Sequence, residues 1–213
     1  MRCVFFSLIV IIMSAMCEGR PPVKNQTIAI PDYYEKYTLS LGNPSAPIRV
    51  HAFFSFTCLS CLLFHQHHFP SIKQQFVDTG KVYWTFVPYV MDVDTLYVMA
   101  ALATCKDPIK LKIFEIIMHQ AINWTEDDNK DRIIKILEAC GIPKLSSQAF
   151  FEECAYELVL RDAFNFQEAV NVDGTPTLFI NGQEIPGVPG AKKLTKILTD
   201  LLNERKGAEH ESD

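Results

Sequence analysis

The sequence has little that would hold a polyanion, cross a membrane or staple a small scaffold together. Twenty Lys and Arg stand against 25 Asp and Glu, a net charge of −5 spread along the chain apart from a short acidic tail. With no run of cations to neutralise phosphates, nucleic-acid binding has no support. No stretch is apolar for the roughly 20 residues that a membrane-spanning helix needs. The clearest apolar run, Cys3 to Met13, is about half that length. There is no internal repeat. Seven cysteines in 213 residues are too sparse for a disulfide-built scaffold, so any close pair of them is read for chemistry.

What is present begins with that apolar run. It follows the basic Met1-Arg2 and precedes Ser14-Ala15-Met16-Cys17, the order of a secretory signal. Residues 1–17 are therefore expected to be a signal peptide cut near Cys17, with membrane anchoring or lipidation at Cys17 as the alternative. Cys58, Cys61, Cys105, Cys140 and Cys154 remain, an odd number that leaves one thiol unpaired unless it pairs between chains.

Residues 18–46 carry Pro21, Pro22, Pro31 and Pro44 and read as an N-terminal arm, with one short strand near Thr27–Ile30. From residue 47 to 93 the pattern is strand, helix, strand. Ile48–Phe56 is rich in β-branched and aromatic residues with little alternation, as in a strand buried on both faces. Leu62, Phe69, Ile72 and Phe76 then recur at helical spacing up to Gly80, with Pro70 expected to kink the helix. Lys81–Val90 supplies the second strand. Residues 94–171 show only helical periodicity, an all-helical block inside an α/β chain. Residues 172–206 return to α/β: a strand at Thr177–Asn181, the hairpin dipeptide Asn181-Gly182, and a helix striped by Leu194, Ile197, Leu198 and Leu201. Residues 207–213 read as a polar tail.

Cys58 and Cys61 fall where the period changes from strand to helix. Two cysteines three apart in the first helical turn put their sulfurs on one face. The unpaired N–H groups and dipole of the helix favour thiolate at the first sulfur. Thiolate is the species that attacks a disulfide, and the second cysteine is placed to resolve the mixed disulfide. The same spacing also occurs in half of a zinc site. A Thr175-Pro176 pair directly before the late strand adds to the redox reading, because proline cannot supply a ladder N–H. A cis peptide there would leave the Thr175 backbone free to pair with an extended substrate.

Asn43-Pro44-Ser45-Ala46-Pro47, Phe53-Phe54-Ser55-Phe56-Thr57-Cys58-Leu59-Ser60-Cys61 and Gly174-Thr175-Pro176-Thr177-Leu178-Phe179-Ile180-Asn181-Gly182 resemble the DsbA-like bacterial thiol–disulfide oxidoreductases. The resemblance runs from about Leu39 to Leu202. It implies a thioredoxin fold with an inserted all-helical domain, with Cys58 as nucleophile, Cys61 as resolving thiol and Thr175-Pro176 facing them. It implies a monomeric periplasmic dithiol oxidase that needs no cofactor or metal. Such an enzyme gives disulfides to newly exported proteins and is reoxidised by a quinone-linked membrane oxidase. It also implies a structural Cys105–Cys154 disulfide, which would leave Cys140 as the odd thiol.

This sequence departs from the family between its cysteines. Leu59-Ser60 stands where relatives often have Pro-His, so an imidazole contribution to the thiolate is missing and a milder oxidant is expected. Ala52 occupies the place of a buried acid in many relatives, and the adjacent His51 is the candidate substitute. Two other readings stay open: a disulfide isomerase or reductase, and a copper or zinc metallochaperone using Cys58, Cys61 and the nearby histidines, of which His65 and His68 could share a helix face with Cys61.

Overall fold

The computed structural model describes residues 27–121, 129–142, 155–170, 172–185 and 189–210. The signal region, Cys17, Thr125 and Cys154 lie outside these residues.

The sheet is built around the apolar run recognised in the sequence. β2 (Ile48–Phe54) lies parallel to β3 (Val82–Pro88), with α2 (Leu59–His67) and α3 (Phe69–Ile72) in the crossover. β1 (Leu39–Leu41) pairs antiparallel with β3. β4 (Thr177–Ile180) pairs antiparallel with β2, and β5 (Gln183–Ile185) closes the other edge in the order β1-β3-β2-β4-β5. The Asn181-Gly182 hairpin has positive φ at both residues (49° and 84°), the requirement of a type I′ turn. Gly42, between β1 and β2, has φ +96°, and a Cβ there would stand 2.6 Å from the Val82 carbonyl oxygen. Only glycine fits that turn.

The strand expected at 27–30 is absent. Ile28 is buried and Ile30 partly so, but neither is in a ladder. A short helix, α1 (Asp32–Glu35), follows instead. Its Tyr34 is fully buried, donates to the Pro88 carbonyl at 2.7 Å and stacks on Phe166. The helix of residues 59–77 is interrupted at His68. It restarts with Pro70 in the first turn of α3, where a missing N–H costs nothing, and ends in a π-helical turn at Lys73–Val77.

The block between β3 and β4 contains α4 (Val93–Ala103), α5 (Asp107–Gln120), α6 (Asn129–Ala139) and α7 (Ala155–Ala169). It is the all-helical block expected between the two α/β parts of the chain. α4 is its hub, burying Thr95, Leu96 and Val98 to Leu102. α6 packs by a narrower stripe, Ile133, Ile136, Leu137 and Cys140, at i, i+3, i+4 and i+7. The last helix, α8 (Ala191–His210), runs four residues into the segment read as a polar tail.

Aromatic rings join sheet and insertion. Phe54 and Phe86 on the sheet meet Phe114 of α5 at centroid distances of 5.5 and 4.7 Å. On the other face Phe53 stacks on Phe166 of α7 at 6.1 Å. Burying each such ring stabilises the fold by about 2–3 kcal/mol, so the insertion is a packed part of the core. Two polar links add direction. Lys110 of α5 is buried and donates to the carbonyls of Lys36 and Thr38, while Asp162 of α7 accepts from Tyr37 and Lys36, each at 2.9 Å.

Candidate active site

β2 ends at Phe54, the chain turns through Ser55, Phe56 and Thr57, and Cys58 becomes the N-cap of α2. The register then brings the distant loop to it. Phe53 pairs with Thr177, so residues 174–176 lie just beyond the C-terminal end of β2. There the Thr175–Pro176 peptide is cis, and Cys58 Sγ lies 3.3 Å from the Thr175 carbonyl oxygen, to which it donates when protonated. Thr177 Oγ1 donates to the Gly174 carbonyl at 2.7 Å and closes the loop.

The two cysteines have different surroundings. Cys58 is half-buried and Cys61, one turn deeper, is 2% exposed. The Cys58 thiol is lowered to about 5, chiefly by hydrogen bonding from the Cys61 thiol; burial opposes this, and the Thr175 side chain and the backbone N–H groups of Cys61 and Ser60 add to it. Cys61 is pushed far up, first by burial and then by Cys58, against hydrogen bonds from the Ser55 backbone and the Thr175 side chain. At neutral pH the reduced pair is therefore one thiolate and one thiol that donates to it. Leu59 is 55% exposed and Ser60 is exposed, and neither brings a charge to the sulfur. Cys61, Thr175 and the N–H groups of the helix terminus account for the lowered thiol without an imidazole.

A polar cluster beneath the turn has no counterpart in the sequence reading. Asp92, the N-cap of α4, accepts from the Thr95 backbone N–H at 2.8 Å. Its carboxylate also accepts from the hydroxyls of Thr57 and Ser55, and Ser55 and Thr95 share a hydrogen bond of 2.9 Å. Asp92 thus fixes the turn that presents Cys58. The Asp-x-x-Thr spacing is a helix-start signal, but nothing local links it to a residue 34 positions earlier. Met91 beside it is 60% exposed and accepts from the Thr175 hydroxyl at 3.2 Å.

His51 does not replace the acid missing at Ala52. Successive strand residues face opposite sides of the sheet. The Ala52 side also carries Trp84 and Phe86, and Phe64 of α2 stacks on Trp84. His51 instead lines a polar cavity of about 620 Å³ on the other face with Arg49, Thr85 and Lys110. Burial, and then the Arg49 charge, lower it to about 4, so it is neutral at pH 7. The Cys61–His65–His68 grouping does not form either. His65 turns into the seam with α5 and meets Glu115 at 3.0 Å. Cys105 and Cys140 are free thiols here, and the expected partner Cys154 lies outside the described residues.

The family model described as thioredoxin matches residues 35–200. The chain belongs to the thioredoxin family. Disulfide bond formation protein D of Bacillus subtilis is 26% identical over 176 residues, covering 78% of this chain and 72% of that protein. The crystal structure of oxidised BdbD from Bacillus subtilis superposes with a TM-score of 0.72 at 19% identity, over 86% of this chain and all (100%) of that one. Wolbachia pipientis α-DsbA1 superposes at 0.70 with 21% identity, over 83% and 94%. At those identities the structures show the fold, and it is the DsbA-like form of the thioredoxin fold. A Rickettsia bellii relative is 26% identical over 172 residues, 78% of this chain, and the chain spans 64% of that protein's length. A Rickettsia typhi relative, 29% identical over 149 residues, is spanned over 54% of its length. Among thioredoxin-family chains, then, this one pairs a Leu-Ser dipeptide between its cysteines with a helical insertion packed into the core.

Proposed function

We propose that this chain is an exported protein-disulfide oxidoreductase that gives disulfides to other proteins through Cys58 and Cys61. The observation that carries this reading is the asymmetry of the pair: a half-buried Cys58 that favours thiolate above a buried Cys61 that does not. In the oxidised enzyme a substrate thiolate attacks Cys58 Sγ, the Cys58–Cys61 bond breaks, and Cys61 leaves and takes up a proton. A second substrate thiolate then attacks the substrate sulfur of the mixed disulfide and expels Cys58. The substrate has lost two electrons and gained a disulfide, and the enzyme holds a dithiol. Low thiolate pKa makes Cys58 a good leaving group, and it stabilises the reduced form, so both rate and equilibrium run toward donation. Thr175, with its backbone at the sulfur, is the residue against which an extended substrate would lie, with Pro176 holding the loop.

The reading rests also on relatives whose name refers to disulfide formation. Clients would be unfolded or folding exported proteins, and reoxidation would come from a quinone-linked membrane oxidase. The enzyme would act as a monomer in the periplasm. Among the described residues no helix is long and apolar enough to cross a membrane.

The test is oxidation of a dithiol peptide by the oxidised protein. The wild-type chain is expected to convert peptide stoichiometrically and Cys58→Ser to lose the activity to background. Peptide oxidation retained by Cys58→Ser would overturn the proposal.

A further inference from the structure

One turn beyond Cys61, His65 leaves the redox site and enters the seam between α2 and α5. Its side chain is 4% exposed. The ring stacks on Phe69 at 5.6 Å and meets Phe114 edge-on at 5.2 Å, so its orientation is set by packing. Its Nε2 lies 3.0 Å from Glu115 Oε2, and His119 Nε2 lies 3.8 Å from the same oxygen. Glu115 and His119 are i, i+4 neighbours on one face of α5. The donor atoms of all three residues lie within 4.8 Å of one another.

We propose that His65, Glu115 and His119 form a zinc-type divalent metal site that clips the helix carrying the cysteine pair to the helical insertion.

Two imidazoles and one carboxylate are the donor set that suits zinc and its first-row neighbours, whereas calcium and magnesium take oxygen alone. Zinc bonds these donors at about 2.0–2.1 Å, which puts tetrahedral ligands roughly 3.3 Å apart. The His65–Glu115 separation already falls near that value. His119 has to close by about half an ångström toward Glu115 and by up to about 1.5 Å toward His65, from which its donor atom lies within 4.8 Å. Its side chain is 61% exposed and free to move, while the buried His65 stays fixed. Three protein ligands leave a fourth position for water on the exposed side.

The charges agree. The Glu115 carboxylate oxygen lies between two imidazole nitrogens, with His65 Nε2 at 3.0 Å and His119 Nε2 at 3.8 Å. Lys73, the nearest lysine to act on it, is paired with Asp78 at 2.7 Å. The seam itself is already built, since Gln66 of α2 donates to the Met118 carbonyl of α5 at 2.9 Å. No cysteine takes part, so the site is separate from the dithiol and its test does not depend on disulfide exchange.

The experiment is a zinc titration of the oxidised full-length chain against a chelating dye, with cobalt(II) absorption as the second readout. Oxidation removes Cys58 and Cys61 as competing ligands. The expected result is one zinc per chain, weakened at least about tenfold by Glu115→Gln and again by His119→Ala, with a cobalt spectrum free of sulfur charge-transfer bands. Both replaced side chains are partly exposed, and circular dichroism checks that the variants fold. Absence of binding at about 100 μM zinc would overturn the proposal, leaving a buried His–Glu hydrogen bond. Unchanged affinity in both variants, or sulfur bands in the cobalt spectrum, would overturn it as well.

Discussion

Cys58 and Cys105 are both half-buried cysteines beside a helix end, and their thiols respond in opposite directions. Cys58 caps the N-terminus of α2, where the N–H groups of Ser60 and Cys61 point at its sulfur. Cys105 lies just past the C-terminus of α4 and donates to the Ala101 carbonyl at 3.2 Å. Burial acts on both. At Cys58 it is outweighed by donors; at Cys105 it is the largest effect and raises the thiol, with the Thr104 hydroxyl and Lys110 only partly offsetting it. Cys140 at the end of α6 is another C-terminal thiol. The direction in which each thiol moves thus follows from what surrounds the sulfur: the Cys61 thiol, Thr175 and helix N–H groups as donors at Cys58, and burial at Cys105.

The largest effect expected from this contrast is in labelling of the reduced protein by iodoacetamide at pH 6. Cys58 is mostly thiolate at that pH and Cys105, raised by burial, is almost wholly thiol, while the weaker nucleophilicity of a low-pKa thiolate takes back part of the advantage. Cys58 is expected to be labelled at least about tenfold faster by peptide mass spectrometry. Comparable rates at Cys105 would break the comparison.

Ser60→His sharpens it, by adding the imidazole that Leu59-Ser60 lacks. A positive charge within about 5 Å should lower Cys58 by about one further unit and make the pair more oxidising. No change in the thiolate midpoint would mean that the helix terminus and Cys61 already saturate the effect. The smallest effect is expected at Asp92→Ala. Loss of the α4 cap and of the Ser55 and Thr57 partners should cost about 1–2 kcal/mol in urea unfolding. The Cys58 midpoint should stay within about half a unit, because Asp92 bonds hydroxyls and neither sulfur.

The cysteine pair was legible in the sequence because a run of apolar, β-branched and aromatic residues gives way to helical spacing at Cys58, a purely local change. The Asn181-Gly182 turn was legible for the same reason. β1 was not, since three residues are too few to show alternation and its partners, such as Thr85 for Ser40, lie 45 residues away. Ile28 and Ile30 looked like a strand by composition but are buried without a ladder. His51 was misjudged by one residue of strand alternation, which put it on the face away from α2. The Asp92 cluster and the His65–Glu115–His119 group depend on contacts across 35 to 54 residues, which no window of sequence displays.

The central claim is that a single thiolate forms early at Cys58 while Cys61 remains a thiol. Ultraviolet thiolate absorbance of the reduced protein, followed from acid to alkaline pH, measures this directly. One acidic step with a midpoint of about 5 is expected, lost in Cys58→Ser, with no contribution from Cys61 below pH 9. Absorbance that stays flat until the ordinary thiol value of 9.0, or an acidic step that survives in Cys58→Ser, would contradict it.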